Sequence, residues 1–232
     1  MIWGVSMSWL QDWQQQIYRN FLSDDALSLI LSGFQNTLVI FIFGSIWALV
    51  LATFLTYLNI NNKLQWLYRP LQCFVATIHD VPAVVLMMFF YYVIFSGLLN
   101  GVVVSIIALG VYSSGSLSRI FKIHIGQVGK EQYESGKMLG FTSKQIYRLI
   151  ILPQAVRNML PLVIGEMKVL LRATSYAGYI FQKDLVKAVD SIRAHTEDVF
   201  LPLLFVSLLY LFLSSAIVKI FKMLNAKFFC HD

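Results

Sequence analysis

Long stretches without a charged residue alternate with short polar segments along this chain. No Asp, Glu, Lys or Arg occurs at positions 26–62, 81–118 or 199–218. A helix needs about 20 mostly apolar residues to cross the hydrocarbon core of a bilayer. The first and third stretches therefore hold one membrane span each. The second stretch divides into two spans at the turn signal SGLLNG, residues 96–101.

This hydrophobic pattern predicts an all-α membrane protein with five transmembrane helices. Their expected positions are about 27–57, 70–96, 102–123, 149–172 and 199–221. The fourth span is the least apolar, because it contains Arg157, Glu166 and Lys168 as well as two prolines. The predicted domains are an N-terminal segment of residues 1–26, a membrane domain over 27–225 with a polar loop at 124–148, and a tail of residues 226–232.

Composition and charge agree with a membrane location. The chain is 58% hydrophobic and 13% charged, whereas a soluble domain carries roughly a quarter charged residues. The net charge of +6 does not indicate a nucleic-acid partner, because Lys and Arg concentrate in the cytoplasmic loops of membrane proteins. Membrane lipid is the expected surrounding of the apolar spans. The two cysteines predict no disulfide framework.

Basic residues are unevenly distributed between the two sides of the predicted spans. One side carries Lys63, Arg69, Arg119, Lys122, Lys130, Lys137, Lys144, Arg148, Lys219, Lys222 and Lys227. The other side carries Arg19, Lys183, Lys187 and Arg193, with several acidic residues beside them. Because cytoplasmic loops are rich in Lys and Arg, the N-terminus is predicted to lie outside and the C-terminus in the cytoplasm.

The N-terminal segment is polar but rich in aromatic residues. It contains Trp3, Trp9, Trp13 and Tyr18. Amphipathic, aromatic-rich segments of this kind usually lie on a membrane surface. The segment lacks a basic region and a small-residue cleavage site, so we predict no removable signal peptide.

The polar loop leads into a spaced motif at residues 134–153, which read ESGKMLGFTSKQIYRLIILP. Its spaced positions are Glu134, Gly140, Ile150, Leu152 and Pro153. The segment resembles the cytoplasmic coupling loop of ABC-importer permeases, whose pattern is E-A-A, three residues, G, nine residues, I, any residue, L-P. Ser135 and Gly136 replace the two alanines, and Gly136 lowers local helix stability by up to ~1 kcal/mol relative to alanine.

Local propensities predict a helix–turn–helix in this loop. Residues 131–139 favour a helix, Gly140 ends it in the left-handed conformation, and Thr142 with Ser143 caps the next helix. Pro153 removes one backbone hydrogen bond and permits a bend at the start of the fourth span. A predicted apolar patch for a partner groove consists of Tyr133, Met138 and Phe141. By the resemblance, Phe141 belongs with the coupling residues.

Other segments resemble the polar amino acid branch of these permeases, which takes up histidine, glutamine, glutamate, arginine or cystine. They are IALG at 107–110, SSGSLSRIF at 113–121, ILPQA at 151–155, and Glu166 with the LLRATS run that ends at Ser175. The resemblance extends from about position 33 to the C-terminus. Two departures occur: HDVP at 79–82 replaces R-G-T-P, and Ala173 replaces an acidic residue before Thr174 and Ser175.

The resemblance implies a type I ABC importer permease in a bacterial inner membrane, with a polar amino acid as its substrate. The implied partners are two ATP-binding subunits, a second permease chain, identical or homologous, and an extracytoplasmic solute-binding protein. The chain has no G-x-x-x-x-G-K-[ST] phosphate loop. We therefore expect it not to be an enzyme, to have no catalytic or metal site and no cofactor, and to leave ATP and Mg²⁺ to the partner ATPase.

Ionisable residues inside a membrane span are costly and usually face a cavity or a partner helix. In span four, Lys168 and Arg172 lie about 20° and 60° around the helix axis from Arg157. Glu166 lies about 180° from Arg157. The pattern predicts a cationic stripe suited to a substrate carboxylate, with Glu166 on the opposite face. Alternatively, Arg157 and Arg172 extend toward the two membrane interfaces.

Span two contains His79, Asp80 and Pro82. Asp80 follows Arg69, at the start of the span, by 11 residues, or roughly 16 Å along a helix, which places these residues near the expected bilayer midplane. Pro82 loosens the helix, and broken helices at the midplane expose backbone groups to ligands in transporters. We hypothesise that Asp80 contacts a substrate ammonium while Lys168 or Arg172 contacts the carboxylate. An ion pair between Asp80 and Lys168, within this chain or between subunits, is the alternative.

These features leave several functions open. The first is an ATP-driven amino acid permease that works by alternating access, coupled to its ATPase through residues 134–153. The second is an ABC permease for another small zwitterion or organic cation, which the HDVP segment and Ala173 keep open. A self-sufficient secondary transporter is the third, although no inverted repeat supports it. The small residues of 113–116 are explained by close helix packing.

Overall fold

The structure is a computed structural model that describes residues 13–61, 64–128, 130–180 and 182–229. Its helices are α1 (Asp24–Ile60), α2 (Gln65–Asp80), α3 (Ala83–Phe89), α4 (Gly101–Gln127), α5 (Lys130–Met138), α6 (Ser143–Ile146), α7 (Leu152–Ala173), α8 (Leu185–Thr196) and α9 (Phe200–Phe229). Wider π turns occur at Tyr18–Leu22, Phe90–Ile94 and Tyr147–Ile151, and a 3₁₀ helix at Thr174–Ile180. The part of the chain described contains no β-strand.

Four helical paths are long and apolar enough to cross a membrane. They are Asp25–Ile60, Gly101–Gln127, Ser143–Ile180 and Phe200–Met223. A fifth span is formed if α2 and the helix that follows it, up to Ile94, are taken together, because the two meet at a bend of 113°. The predicted all-α fold with about five spans is confirmed.

The second span differs from its prediction. We expected one continuous helix over 70–96, but the helix stops at Asp80 and restarts at Ala83. Val81 is extended, with φ of −79° and ψ of 138°, because a residue before proline is driven out of the helical region. Pro82 therefore breaks the span rather than only loosening it.

The fourth span is longer than predicted because its helical path begins inside the polar loop, at Ser143. The predicted disturbance near Pro153 takes the form of a π turn. The N–H of Leu152 donates to the carbonyl of Tyr147, five residues earlier, and Pro153 then has no N–H to donate. The helical path continues across this turn to Ile180.

Helix α4 lies at the centre of the bundle, packed along α1 and against α2 and α7. Small residues allow the close packing. A side chain at Gly110 would overlap the indole of Trp47, and one at Gly115 would lie 3.1 Å from Val75 Cγ1. Ser113 and Ser114 are buried beside Gly115. Close helix packing thus accounts for the small residues of this span, as predicted.

The end of the N-terminal segment is attached to the bundle. Asn20 is buried, and its amide donates to Asp198 Oδ2 at 2.7 Å. The rings of Phe21 and Phe205 lie 4.9 Å apart. Tyr18 remains exposed, whereas the predicted surface residues Trp3 and Trp9 lie outside the described residues. The π turn Tyr18–Leu22 is therefore bound to the start of α9.

Candidate functional site

The loop that carries the spaced motif ends its first helix in a Schellman arrangement. The Gly140 N–H donates to the Lys137 carbonyl at 3.0 Å, and the Phe141 N–H donates to the Gly136 carbonyl at 3.1 Å. Gly140 has a φ of 81°, which glycine adopts at no steric cost. The predicted end of the helix at Gly140 is confirmed.

The second helix, α6, begins at a capping box. Thr142 Oγ1 accepts a hydrogen bond from the Gln145 N–H at 3.4 Å. In return, Gln145 Oε1 accepts one from the Thr142 N–H at 2.9 Å. Two side-chain contacts then join the helices: the rings of Tyr133 and Tyr147 lie 5.9 Å apart, and the Tyr133 hydroxyl lies 2.8 Å from Ser143 Oγ. Together α5, α6, the turn between them and the π turn Tyr147–Ile151 form one compact body, which we call the coupling element (residues 130–151).

Gly136 lies at the contact between the two helices of the coupling element. A side chain at this position would lie 2.8 Å from Ile146 Cγ1, and Ile146 is fully buried. Glycine therefore lets α5 rest directly on α6. Local propensity favours alanine at this position, but the close approach of Ile146 opposes it.

An apolar tip projects from the coupling element. Met138 and Leu139 are 88% and 75% exposed, and Phe141 is 39% exposed. Tyr133 was predicted to belong to this patch, but it is half-buried against α6 and the π turn. Leu139 takes its place. The neighbouring motif residues Glu134 and Ser135 are exposed as well.

The second group of candidate residues lies in α7. Glu166 is buried, and its Oε2 accepts a hydrogen bond from Ser116 Oγ at 2.9 Å. Its Oε1 has no hydrogen-bond partner in the described part of the chain. Arg157 and Arg172 are exposed, and Lys168 is half-buried. Glu166 thus faces the interior of the chain, whereas the two arginines face its surface.

The candidate residues of span two lie at its break. Asp80 and Pro82 are exposed. His79 is half-buried, with its Nδ1 3.2 Å from the Tyr112 carbonyl oxygen and its ring 4.9 Å from the Tyr112 ring. Among the described residues no ion pair includes Asp80 or Lys168. The pairing of Asp80 with Lys168 therefore does not form within this chain, and a pair between subunits stays a prediction.

Thr174 and Ser175 both use their hydroxyl groups to end α7. The Thr174 hydroxyl donates to the Leu171 carbonyl at 2.7 Å, and the Ser175 hydroxyl donates to the Arg172 carbonyl at 2.8 Å. Thr174 is fully buried, whereas Ser175 is half-buried. Within this chain the structure gives Thr174 a structural position, and it leaves Ser175 at the edge of a cavity.

That cavity has a volume of about 490 Å³ and lies between α8, α9 and the 3₁₀ helix. Its walls include Ser175, Tyr179, Asp184, Lys187, Asp190 and Arg193. Asp190 Oδ1 lies 2.6 Å from the Arg193 guanidinium and its Oδ2 lies 3.5 Å from Lys187 Nζ. The hydrogen bond from Arg193 lowers the pKa of Asp190. The acidic and basic groups of the wall thus largely neutralise one another.

Asp184, which was not among the predicted site residues, lies where α8 docks onto α1. Asp184 caps α8 by accepting hydrogen bonds from the N–H groups of Val186 and Lys187. Thr37 Oγ1 accepts the Leu185 N–H at 3.1 Å. An Asp directly before an amphipathic segment predicts a helix N-cap, so the cap of α8 could have been predicted from the sequence. The contact of α8 with α1 could not.

We expect the docking of α8 to weaken as the pH rises through about 6. Burial raises the pKa of Asp184 from 3.8 to about 6, so the docked segment holds this proton more tightly than a solvated one. The docking therefore keeps its full strength below the ordinary pKa and loses part of it as the carboxyl ionises. Hydrogen exchange of the α8 amides, corrected for intrinsic rates, measures the effect. An Asp184→Asn variant should show no such dependence, and constant protection in the unsubstituted protein would contradict the expectation.

Comparison with known proteins identifies the family of this chain. A family described as the binding-protein-dependent transport system inner membrane component matches residues 44–228. The chain belongs to this family of permeases. Family membership identifies it as a membrane component of an ABC importer, and the coupling element lies within the matched region.

Curated relatives agree with this placement. The chain is 29% identical to the probable glutamine ABC transporter permease protein GlnM of Bacillus subtilis over 194 residues, 82% of this chain and 88% of the relative. It is 26% identical to the histidine/lysine/arginine/ornithine transport system permease protein HisM of Escherichia coli K12 over 212 residues, 86% of this chain and 89% of the relative.

Solved structures support the fold of the permease. A crystal structure of an amino acid ABC transporter with histidines superposes with a TM-score of 0.75 at 21% identity, covering 87% of this chain and 94% of that chain. An inward-facing MetNI methionine ABC transporter gives 0.68 at 16% identity, covering 87% and 98%. The permease therefore has the type I ABC importer fold.

Proposed function

We propose that this permease moves amino acids inward across the membrane by alternating access, and that a separate ATPase drives it through the coupling element. The observation that carries the proposal is the coupling element itself. It is held together by two helix caps, by the Tyr133–Ser143 hydrogen bond and by the Gly136–Ile146 contact. It also presents apolar side chains that no other part of the described chain covers.

A rigid body with an exposed apolar tip suits the transmission of force. Met138 and Leu139 would enter a groove on the ATPase, as in other helix-in-groove contacts. Because α6 continues into the fourth span, a displacement of the tip would move that span directly. The α-helical hydrogen-bond pattern is interrupted at Val81–Pro82 in span two, and a π turn occupies Tyr147–Ile151 between α6 and α7.

Family membership favours this function over a self-sufficient secondary transporter. The remaining partners we propose are two ATP-binding subunits, which bind ATP and Mg²⁺, a second permease chain and an extracytoplasmic solute-binding protein. The substrates named for the relatives, glutamine for GlnM and histidine, lysine, arginine and ornithine for HisM, support amino acids as the substrate class. The basic residues around the coupling element support a cytoplasmic position for it and for the C-terminus.

The substrate pathway is proposed to include the ionisable residues inside the spans. Asp80 is exposed at the break of span two, where it can meet a substrate ammonium. Arg172 is exposed and Lys168 is half-buried on α7, where either can meet a carboxylate. Glu166 is held by Ser116 and retains one carboxylate oxygen for a further partner. Ion pairs of this kind gain strength in a membrane because little water competes for the charges.

The test is uptake of labelled amino acids into liposomes that contain the permease with its partner subunits and enclosed ATP. We expect uptake to require ATP hydrolysis, and an Asp80→Asn variant to lose at least roughly tenfold in uptake, the equivalent of one charged hydrogen bond. Thr77→Val, one turn earlier on the exposed side of α2, is the matched control and should transport normally.

The outcomes separate the alternatives. Uptake that continues without ATP would contradict the proposed ABC mechanism. Unchanged uptake and unchanged substrate preference in Asp80→Asn would remove Asp80 from the substrate pathway. Transport of an organic cation or an osmolyte in place of amino acids would favour the second ABC alternative, in which the HDVP segment and Ala173 set a different preference.

A further inference from the structure

Two basic side chains, those of Lys144 and Arg148, lie close to the start of the helical segment Ser143–Ile180. Lys144 and Arg148 lie about one helical turn apart on the path that starts at Ser143, and both are exposed. Together with Thr142, Gln145 and Leu149 they line a cavity of about 430 Å³. Neither cation takes part in an ion pair with any described residue. The cluster therefore presents two positive charges to whatever occupies the cavity.

The surface next to these cations is apolar. Leu149 and Leu152 are 61% and 45% exposed; Leu149 directly follows Arg148, and Leu152 lies three residues farther along the chain. They belong to the Ser143–Ile180 path, which is apolar enough to cross a membrane. A ligand that contacts both parts needs an anionic head and a hydrocarbon chain. An anionic phospholipid has this chemistry, because its phosphate can accept hydrogen bonds from Lys and Arg while its acyl chains pack on leucine.

We propose that Lys144 and Arg148 form a binding site for the headgroup of an anionic phospholipid, with the acyl chains along Leu149 and Leu152. A soluble partner subunit fits this surface less well, because Leu149 and Leu152 belong to a helical segment that is apolar enough to cross a membrane. Basic side chains at a membrane interface otherwise extend into water. Here both cations line the same surface cavity, which gives a headgroup a defined place.

The site has a consequence that rests on the proposed function. Thr142 and Gln145 form the capping box of α6 and also line the cavity, so a bound headgroup would touch the coupling element. We expect a bound lipid to hold α6 at the membrane surface while the apolar tip engages the ATPase. ATP-driven uptake should then be faster in vesicles that contain phosphatidylglycerol than in vesicles of phosphatidylcholine alone.

Native mass spectrometry of the purified, delipidated transporter, titrated with phosphatidylglycerol or phosphatidylcholine, tests the site. Each Lys or Arg near an anionic headgroup strengthens binding, so a Lys144→Gln/Arg148→Gln variant should bind phosphatidylglycerol roughly thirtyfold more weakly. Lys219→Gln/Lys222→Gln is the matched control, because it removes the same charge from two exposed lysines at the end of α9. The control should bind like the unsubstituted transporter.

Three results would overturn the proposal. One is wild-type lipid binding by Lys144→Gln/Arg148→Gln; if that variant also loses the ATPase subunit, the cluster belongs to the ATPase contact. Another is an equal loss in the control, which would indicate diffuse surface charge. The third is full competition by inorganic phosphate, which would indicate a site for a free anion. A variant in the apolar tip should keep its lipid even if coupling fails, so the two proposals can fail separately.

Discussion

Replacing the apolar tip of the coupling element, with Met138→Ser and Leu139→Ser together, should detach the ATPase and abolish ATP-driven uptake. The two side chains are 88% and 75% exposed, so their loss leaves the permease itself folded. Burying one such side chain in a partner groove contributes about 1.5–3 kcal/mol. Losing both should weaken the complex by at least a hundredfold or so in Kd.

The measurement is the amount of ATPase subunit that co-purifies with the permease in mild detergent, combined with uptake in liposomes. Met223→Ser is a suitable control, because Met223 is 72% exposed near the end of α9 and lies outside the coupling element. Stoichiometric ATPase in the Met138/Leu139 variant would refute the assignment of the tip. Loss of ATPase in the control as well would point to a general effect of exposed methionines.

The substitution Gly33→Ala, which adds a single methyl group, should destabilise the permease and separate α8 from α1. A Cβ at this position would lie 2.7 Å from the Asp184 carbonyl oxygen and 2.9 Å from Ala188 Cβ. The Asp184 backbone cannot retreat easily, since the next residue is tied to Thr37 and Asn36 donates to the Lys183 carbonyl at 2.8 Å. Overpacking of this kind costs about 1–3 kcal/mol.

Gly44→Ala in the same helix is the matched control. Its new Cβ would have ordinary contacts, 3.7 Å from Leu170 Cδ2 and 3.9 Å from the Ile106 carbonyl oxygen. Alanine also has a higher helix propensity than glycine, by up to ~1 kcal/mol. Thermal unfolding in detergent should therefore show a lower Tm for Gly33→Ala and an equal or higher Tm for Gly44→Ala. A rise in both would mean that helix propensity, not the docking of α8, decides the stability at Gly33.

Several features of the coupling element followed from local rules. The termination of α5 by Gly140 and the cap at Thr142 were predictable because each depends on residues within five positions along the chain. The residues that form the apolar tip were harder to predict. Tyr133 turned inward because Tyr147 and Ser143 lie beside it, and Leu139 was exposed in its place. Spacing along a helix does not reveal which face a neighbouring helix will cover.

For the residues inside the spans, too, spacing along the helix predicted only part of the arrangement. Helical spacing placed Glu166 away from the cationic residues of span four, as the structure also does. Its partner Ser116, fifty positions away, could not be derived from spacing. The docking of α8 depends on pairs still farther apart, such as Asn36 with Lys183, 147 positions away. Such contacts form only when the whole bundle brings two distant segments together.

The fold class, the approximate number of spans and the two helix caps of the coupling element could be predicted without the structure. They follow from the thickness of a bilayer, which sets the length of an apolar helix, and from short-range backbone preferences. The family resemblance rested on the spaced motif at residues 134–153. Packing across the whole chain was needed to reveal the requirement for glycine at Gly33 and Gly136 and the burial of Asp184 and Glu166. Each of these depends on where a second helix lies. The break after Asp80 has a local cause in Pro82, but its angle of 113° could not be read from the sequence.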